Sequence, residues 1–139
     1  MAPSNLVTLV VITFGLLFAV RNFWPPGPLP LYQAVSLAVM AVAWCLFAIA
    51  RIQLGRSFSV AAKAKSLVTT GLYSRIRNPI YVFGGLVIAA FLVYIGRPLL
   101  LLVFLILIPV QIVRARKESQ VLEETFGDEY RAYKAQTWF

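Results

Sequence analysis

The sequence contains no histidine, one cysteine and five acidic residues in 139, and each shortage removes a class of function. Without histidine the commonest ligand for zinc, copper and haem iron is missing, and the lone Cys45 permits neither an intrachain disulfide nor a multi-cysteine metal site. No metal site is expected. The missing imidazole also removes the side chain that normally titrates near neutral pH, which narrows the acid–base chemistry open to the chain. All five carboxylates, Glu118, Glu123, Glu124, Asp128 and Glu129, lie in the C-terminal segment. A proton-coupled transporter of the small multidrug type has a similar length but needs a carboxylate inside its spans. This sequence offers none there.

What the chain has in excess is apolar surface. Hydrophobic residues make up 60% and charged residues 13%, a balance far outside the soluble range, so the surplus must face lipid. The length fits one domain, residues 1–139, and neither a low-complexity segment nor an internal repeat is visible. Four stretches lack charge: Leu6 to Val20, Leu31 to Ala50, Ile80 to Ile95 and Leu99 to Val113. Extended by interfacial residues, they predict spans over about 6–24, 31–50, 80–95 and 98–113, with Trp24, Tyr32 and Tyr94 at their ends as aromatic belts place them. No Lys or Arg precedes the first stretch, so it reads as a retained helix and not as a cleaved signal.

Breaks and charges organise these spans. The run Pro25, Pro26, Gly27, Pro28, Pro30 cannot continue a helix, and Gly96, Arg97, Pro98 makes a short turn. Six cations, Arg51, Arg56, Lys63, Lys65, Arg75 and Arg77, fall between the second and third spans, and Arg114, Arg116, Lys117, Arg131 and Lys134 follow the fourth. The positive-inside rule places both segments, and with them both termini, in the cytoplasm. The expectation is an all-α polytopic membrane protein with four transmembrane helices and a cytoplasmic C-terminal helical segment, as in a bacterial inner membrane. The net charge of +8 is then topology plus attraction to a bilayer with anionic headgroups. No nucleic-acid-binding motif accompanies it. Oligomeric state is not legible.

Two segments can carry chemistry. Residues Arg114 to Phe126 have good helix formers and no breaker before Gly127, so the fourth span is expected to continue as a helix, with Pro109 as a possible kink. Arg114 and Glu118 then share a face, either as an interfacial charged anchor or as part of a site. Glu123 and Glu124 are expected to face solvent. In the other segment, Gly71 permits a tight turn and Pro79, after Asn78, starts a helix where a missing amide proton costs little. Tyr73, Arg77, Asn78 and Tyr81 are thereby grouped at one helix N-terminus, as an ordinary interfacial loop or as a functional one. Gly84 and Gly85 are not a GxxxG pattern, and ordinary bundle packing accounts for them.

The stretch LVTTGLYSRIRNPIY, Leu67 to Tyr81, resembles the LVTxGxYxxxRHPxY signature of the isoprenylcysteine carboxyl methyltransferase family. The stretch RARKESQVLEETFGDEYRAY, Arg114 to Tyr133, is similar to that family's RxxxEE helix followed by FGxEYxxY. The resemblance implies an integral membrane methyltransferase using S-adenosylmethionine. It implies cofactor contacts from Lys65, Ser66, Leu67, Val68, Tyr73, Asn78, Pro79, Ile80, Tyr81 and Glu118, and gives Arg114 the catalytic, substrate-side arginine position. Three departures stand out. Asn78 replaces the motif histidine, Ser119 replaces the second glutamate, and the chain ends at Trp138 and Phe139 without the family's terminal proline and arginine pattern.

A carboxylate acceptor suits a chain without histidine, because it is already deprotonated at neutral pH and needs no general base. The expected activity is methyl transfer to a membrane-embedded lipid-like or prenylcysteine carboxylate. Competing readings are a phospholipid amine N-methyltransferase, a sterol-reductase-type enzyme binding NADPH, and a non-catalytic membrane scaffold that retains the fold.

Overall fold

The computed structural model describes residues 3–54 and 67–138. Its elements run α1 (Pro3–Asn22), α2 (Leu31–Leu54), a 3-10 turn (Gly71–Ser74), α3 (Pro79–Tyr94), a second 3-10 segment (Pro98–Val103), α4 (Phe104–Phe126) and α5 (Asp128–Gln136). The protein is all-helical among the described residues, and one isolated parallel bridge, Ile76 to Trp138, is the sole extended pairing there.

Local chemistry explains the boundaries. The Pro-rich run separates α1 from α2, Pro79 occupies the first turn of α3, and Gly127, at φ +52°, reverses the chain between α4 and α5. The fourth apolar segment departs from a uniform helix: it begins as 3-10 turns over Pro98–Val103 and becomes α-helical at Phe104, with Pro109 inside. Proline at its start removes an amide donor that a regular first turn does not need.

Helices α2 and α3 pair along their length as the spine of the fold. Met40 and Ala43 of α2 bury against Val87 and Ala90 of α3, and Leu16 and Val20 of α1, with Trp44 and Phe91, pack around them. The two glycines of α3 each admit a ring from a neighbour. A methyl added at Gly84 would meet Phe47 at 3.4 Å, and one at Gly85 would meet Phe104 at 3.6 Å. Polar groups tie the end where α3 stops. Gln33 Nε2 donates to the Tyr94 carbonyl at 3.0 Å, capping an orphan acceptor, and the buried Tyr94 hydroxyl donates to the Val20 carbonyl at 3.0 Å. Such bonds hold three helix ends together where apolar packing alone would let them slide.

Two helices are long and apolar enough to cross a membrane, Leu31–Leu54 and the continuous stretch Pro98–Phe126; Leu6–Asn22 and Pro79–Tyr94 are shorter apolar helices. The apolar half of α4 exposes Leu105, Ile106, Ile108, Val110 and Val113. A water-soluble domain would bury such a row, whereas hydrocarbon solvates it without cost.

Candidate functional site

At the other end of the α2–α3 pair, the end of α2 and the C-terminal segment both meet the Gly71–Ser74 turn. Gln53, in the last turn of α2, accepts a hydrogen bond from the Leu72 amide through Oε1 at 2.8 Å. This pins the Gly71–Ser74 turn to α2. Gly71 sits at φ +64° with the Gln53 amide group packed where a Cβ would be. The turn therefore requires glycine both for its left-handed backbone and for space. Replacing Gly71 by Ala is expected to cost about 2–3 kcal/mol, combining the left-handed penalty with loss of the Gln53 bond. Thermal unfolding in detergent measures it, and an unchanged midpoint would show that the turn is not anchored this way.

The C-terminal segment closes over the same turn. Tyr133, in α5, donates its hydroxyl to the Tyr73 carbonyl at 2.7 Å, and the Trp138 amide donates to the Arg75 carbonyl at 3.0 Å. Tyr130 is almost wholly buried and donates to Ser119 Oγ at 2.8 Å, fixing α5 against α4. Tyr73 is buried, and burial, followed by the charge of Glu118, pushes its phenol well above the usual range. Tyr133 is pushed up to about 12, again by burial first and then by Tyr130. Both phenols stay protonated at neutral pH, so each keeps a proton to donate, which Tyr133 gives to the Tyr73 carbonyl.

Electrostatics hold the outer face of this hairpin. Arg131 Nε lies 3.0 Å from Glu123 Oε1, Arg131 also meets Asp128 at 3.1 Å, and Lys134 lies 3.7 Å from Glu123. Glu123 keeps the solvent access expected for it but also pairs with α5, because Gly127 brings the α5 cations back beside it; Glu124 is exposed as expected. The Arg131 hydrogen bond, ahead of the other effects, holds the Glu123 carboxyl below its ordinary value. A depressed folded pKa contributes stability that is complete above the unfolded value and disappears as pH falls through the folded one. Acidification below about pH 4 should therefore loosen α5 in the wild type. In Glu123→Gln this acid-dependent component should vanish, and because the pair is exposed the difference in melting midpoint should be no more than about 2 °C. Midpoints measured against pH for both proteins check this.

The central cluster lies where the first turn of α3 meets α4. Tyr81 donates its hydroxyl to Glu118 Oε2 at 3.1 Å, and the Arg114 guanidinium carbon lies 5.9 Å from the centre of the Tyr81 ring. Arg114 and Glu118 share a helix face as their spacing predicts, yet they form no ion pair with each other. Among the described residues the ion pairs join Glu123 and Asp128 to Arg131 and Lys134. Tyr81 contacts both charged residues, and Glu118 and Arg114 are exposed and within reach of a ligand. This arrangement argues against a plain interfacial salt bridge.

The structure brings some of the anticipated residues together and separates others. Tyr73, Tyr81, Glu118 and Arg114 converge on one side of α4. Asn78 and Pro79 begin α3, with Pro79 buried and Asn78 making no side-chain cap bond. Asn78 lines a distinct cavity of about 500 Å³ together with Arg77, Ile112, Ala115, Arg116, Ser119, Gln120, Glu123 and Lys134. Ile80 follows in the first turn of α3; Leu67 and Val68 are half-buried just before the turn. Lys65 and Ser66 lie outside the described residues. Sequence reasoning missed Gln53, which positions the turn, and the contact by which Tyr130, a residue of the quoted FGxEYxxY pattern, positions Ser119. Neither contact carries a local signal, since each joins partners distant in the chain. No cluster of three or more metal-ligating side chains occurs among the described residues.

An all-helical membrane protein with a tyrosine, a carboxylate and a guanidinium at one helix junction is the class these observations define. The family model for phospholipid methyltransferases matches residues 31–129, from the start of α2 into α5, and the chain belongs to that family of integral membrane methyltransferases, relatives of the isoprenylcysteine carboxyl methyltransferases. No curated protein sequence matches it significantly. The protein is therefore a membrane methyltransferase by family.

Proposed function

We propose that this protein transfers a methyl group from S-adenosylmethionine to a lipid-like or prenylcysteine carboxylate at the membrane surface. The observation that carries the reading is the Tyr81–Glu118–Arg114 cluster, in which one anion and one cation are held beside the same ring without a direct ion pair. The residues present fit the cofactor. Its sulfonium and amino groups suit the Glu118 carboxylate and the faces of Tyr73 and Tyr81, and its carboxylate suits the N-terminus of α3 at Asn78, Pro79 and Ile80. Lys65, Ser66, Leu67 and Val68 complete the proposed contacts by resemblance. When bound, S-adenosylmethionine supplies an electrophilic methyl carbon on sulfur.

The chain's own contribution is alignment and exclusion of water. Tyr81 holds the Glu118 carboxylate in place, Glu118 offsets positive charge on the donor side, and Arg114 orients the acceptor carboxylate by a charge-assisted hydrogen bond. No imidazole is present and none is required, because a carboxylate reaches the site already ionised. All four apolar segments are proposed to span the bilayer, with both termini and the 71–74 turn on the cytoplasmic side of an inner membrane. The cation distribution supports this orientation.

A second reading, transfer to the amine of a phospholipid headgroup, is favoured by the family model itself. It assigns Glu118, and not Arg114, to the acceptor, since a protonated amine is repelled by a guanidinium. Methyl-labelled S-adenosylmethionine separates the two when incubated with the protein in nanodiscs containing a prenylcysteine acid or phosphatidylethanolamine. Base-labile label on the acid supports the carboxylate reading, and base-stable label on the amine lipid supports the second. Absence of label from both, with a folded protein, would remove the enzymatic reading and leave the scaffold.

A further inference from the structure

We propose that the half-open cavity lined by the start of α3, the outer half of α4 and α5 binds a phosphate-class anion, at a site separate from the Tyr81–Glu118–Arg114 cluster. On the wheel of α4 the two lie on different faces. Arg114 and Glu118 occupy one, while Ala115, Arg116, Ser119 and Glu123 turn toward the cavity. A volume of about 500 Å³ admits a phosphate with an attached glycerol or sugar-sized group.

Charge is the first argument. Arg77, Arg116 and Lys134 line the cavity against one carboxylate, Glu123. That carboxylate already serves Arg131 at 3.0 Å and Lys134 at 3.7 Å. Every side-chain carboxylate of the protein lies between residues 118 and 129, all within the described part, and none forms an ion pair with Arg77 or Arg116. The residues outside the described part contain no Asp or Glu, so they bring no neutralising side chain. The cavity keeps an excess of positive charge, carried by Arg77 and Arg116, after Glu123 has paired with Lys134.

Hydrogen bonding is the second, independent argument. Arg77 Nε is shielded from solvent and has no hydrogen-bond partner among the described residues. A buried donor left unsatisfied is costly, and the cost disappears when an acceptor enters beside it. Asn78 makes no capping bond with its side chain. Ser119 Oγ accepts from Tyr130, which leaves its own hydroxyl proton free to donate. Two guanidinium forks, an ammonium, an amide and a hydroxyl surround one space. A tetrahedral oxyanion with three or four acceptor oxygens uses such a set more fully than a planar carboxylate does. The motif departures converge here as well, since Asn78 and Ser119 both line the cavity and Ser119 leaves its wall one carboxylate poorer than the family pattern.

The anion can come from a lipid headgroup or from a soluble phosphate ester, and one experiment distinguishes them. The full chain in dodecyl maltoside micelles, which carry no phosphate, is titrated calorimetrically with inorganic phosphate and, by native mass spectrometry, with phosphatidylglycerol. Saturable binding of at least one probe is expected, weakened about tenfold or more in Arg77→Gln/Arg116→Gln and unchanged in Arg75→Gln, whose side chain lies outside the cavity. Binding of phosphatidylglycerol alone assigns the site to a lipid headgroup, and binding of inorganic phosphate as well assigns it to a soluble ester. Should the double variant fail to fold, Arg116→Gln, on the exposed surface of α4, is expected to weaken binding several-fold by itself. Equal binding by wild type and variant, an equal loss in Arg75→Gln, no binding of either probe, or displacement of phosphate by S-adenosylhomocysteine would each overturn the proposal. The last outcome would make the cavity the cofactor's carboxylate pocket. The site shares Asn78 with the proposed cofactor contacts, but its cations, Arg77, Arg116 and Lys134, have no part in that reading.

Discussion

Replacing Glu118 by Gln is expected to lower methyl transfer by about 10- to 100-fold while leaving the melting midpoint nearly unchanged. The magnitude follows from removing a hydrogen-bonding partner that is charged, about 1.5–3 kcal/mol, at a group proposed to face the donor's positive charge. The near-constant stability follows from exposure: Glu118 is on the surface, makes no ion pair among the described residues, and its one bond, from Tyr81, is also available to the glutamine amide oxygen. Tyr81→Phe should show a smaller loss, since it removes the group that orients Glu118 and keeps the charge. Turnover in the Gln variant equal to wild type, with the protein folded, would remove Glu118 from the site.

The second large effect is expected at Arg114. Lysine retains the charge but lacks the planar fork that engages a carboxylate through two bonds and stacks on an aromatic ring. Arg114 lies over Tyr81 at 5.9 Å, so both properties matter here. Arg114→Lys should raise KM for a carboxylate acceptor at least about tenfold and leave affinity for the cofactor product within about twofold. Initial-rate kinetics against acceptor, paired with binding of S-adenosylhomocysteine, resolves the two. An unaltered KM would favour the amine reading, in which Arg114 does not touch the acceptor.

Much of this geometry was legible before the structure, and the legible part has a common physical character. Pro79, Gly71 and Gly127 act locally: a missing amide proton starts α3, and left-handed backbones turn the chain where only glycine adopts them cheaply. Arg114 and Glu118 are also local, one helical turn apart, so their shared face followed from spacing. Their joint relation to Tyr81 was implied by resemblance and needed the fold to become a contact. Other features depend on which elements meet. The pairing of Glu123 was hidden because nothing in its own turn requires it, and only the reversal at Gly127 brings Arg131 and Lys134 back to it. The 3-10 start of the fourth apolar segment was likewise hidden, since Leu-rich composition is equally compatible with an α-helix. The cationic cavity draws on residues from Arg77 to Lys134, and no local period marks it.

The division of α4 into two working faces is the structural result with most consequence. One face carries the open charges proposed to align donor and acceptor, and the other carries Arg116, which with Arg77 forms no ion pair with a side-chain carboxylate among the described residues. Helix α5, locked by Tyr133 to the Tyr73 carbonyl and by Tyr130 to Ser119, keeps both faces in register with the start of α3. Weakening these two bonds should therefore perturb both sites together, whereas substitutions at Arg116 or Arg114 should perturb one each.

The central claim is that the junction of α3 and α4 is an S-adenosylmethionine site, and calorimetric titration of the protein in nanodiscs with S-adenosylhomocysteine tests it most directly. The account predicts saturable binding, at least about tenfold weaker in Glu118→Gln and unaffected by NADPH. A folded preparation that binds no S-adenosylhomocysteine, or one whose binding ignores Glu118, would contradict it.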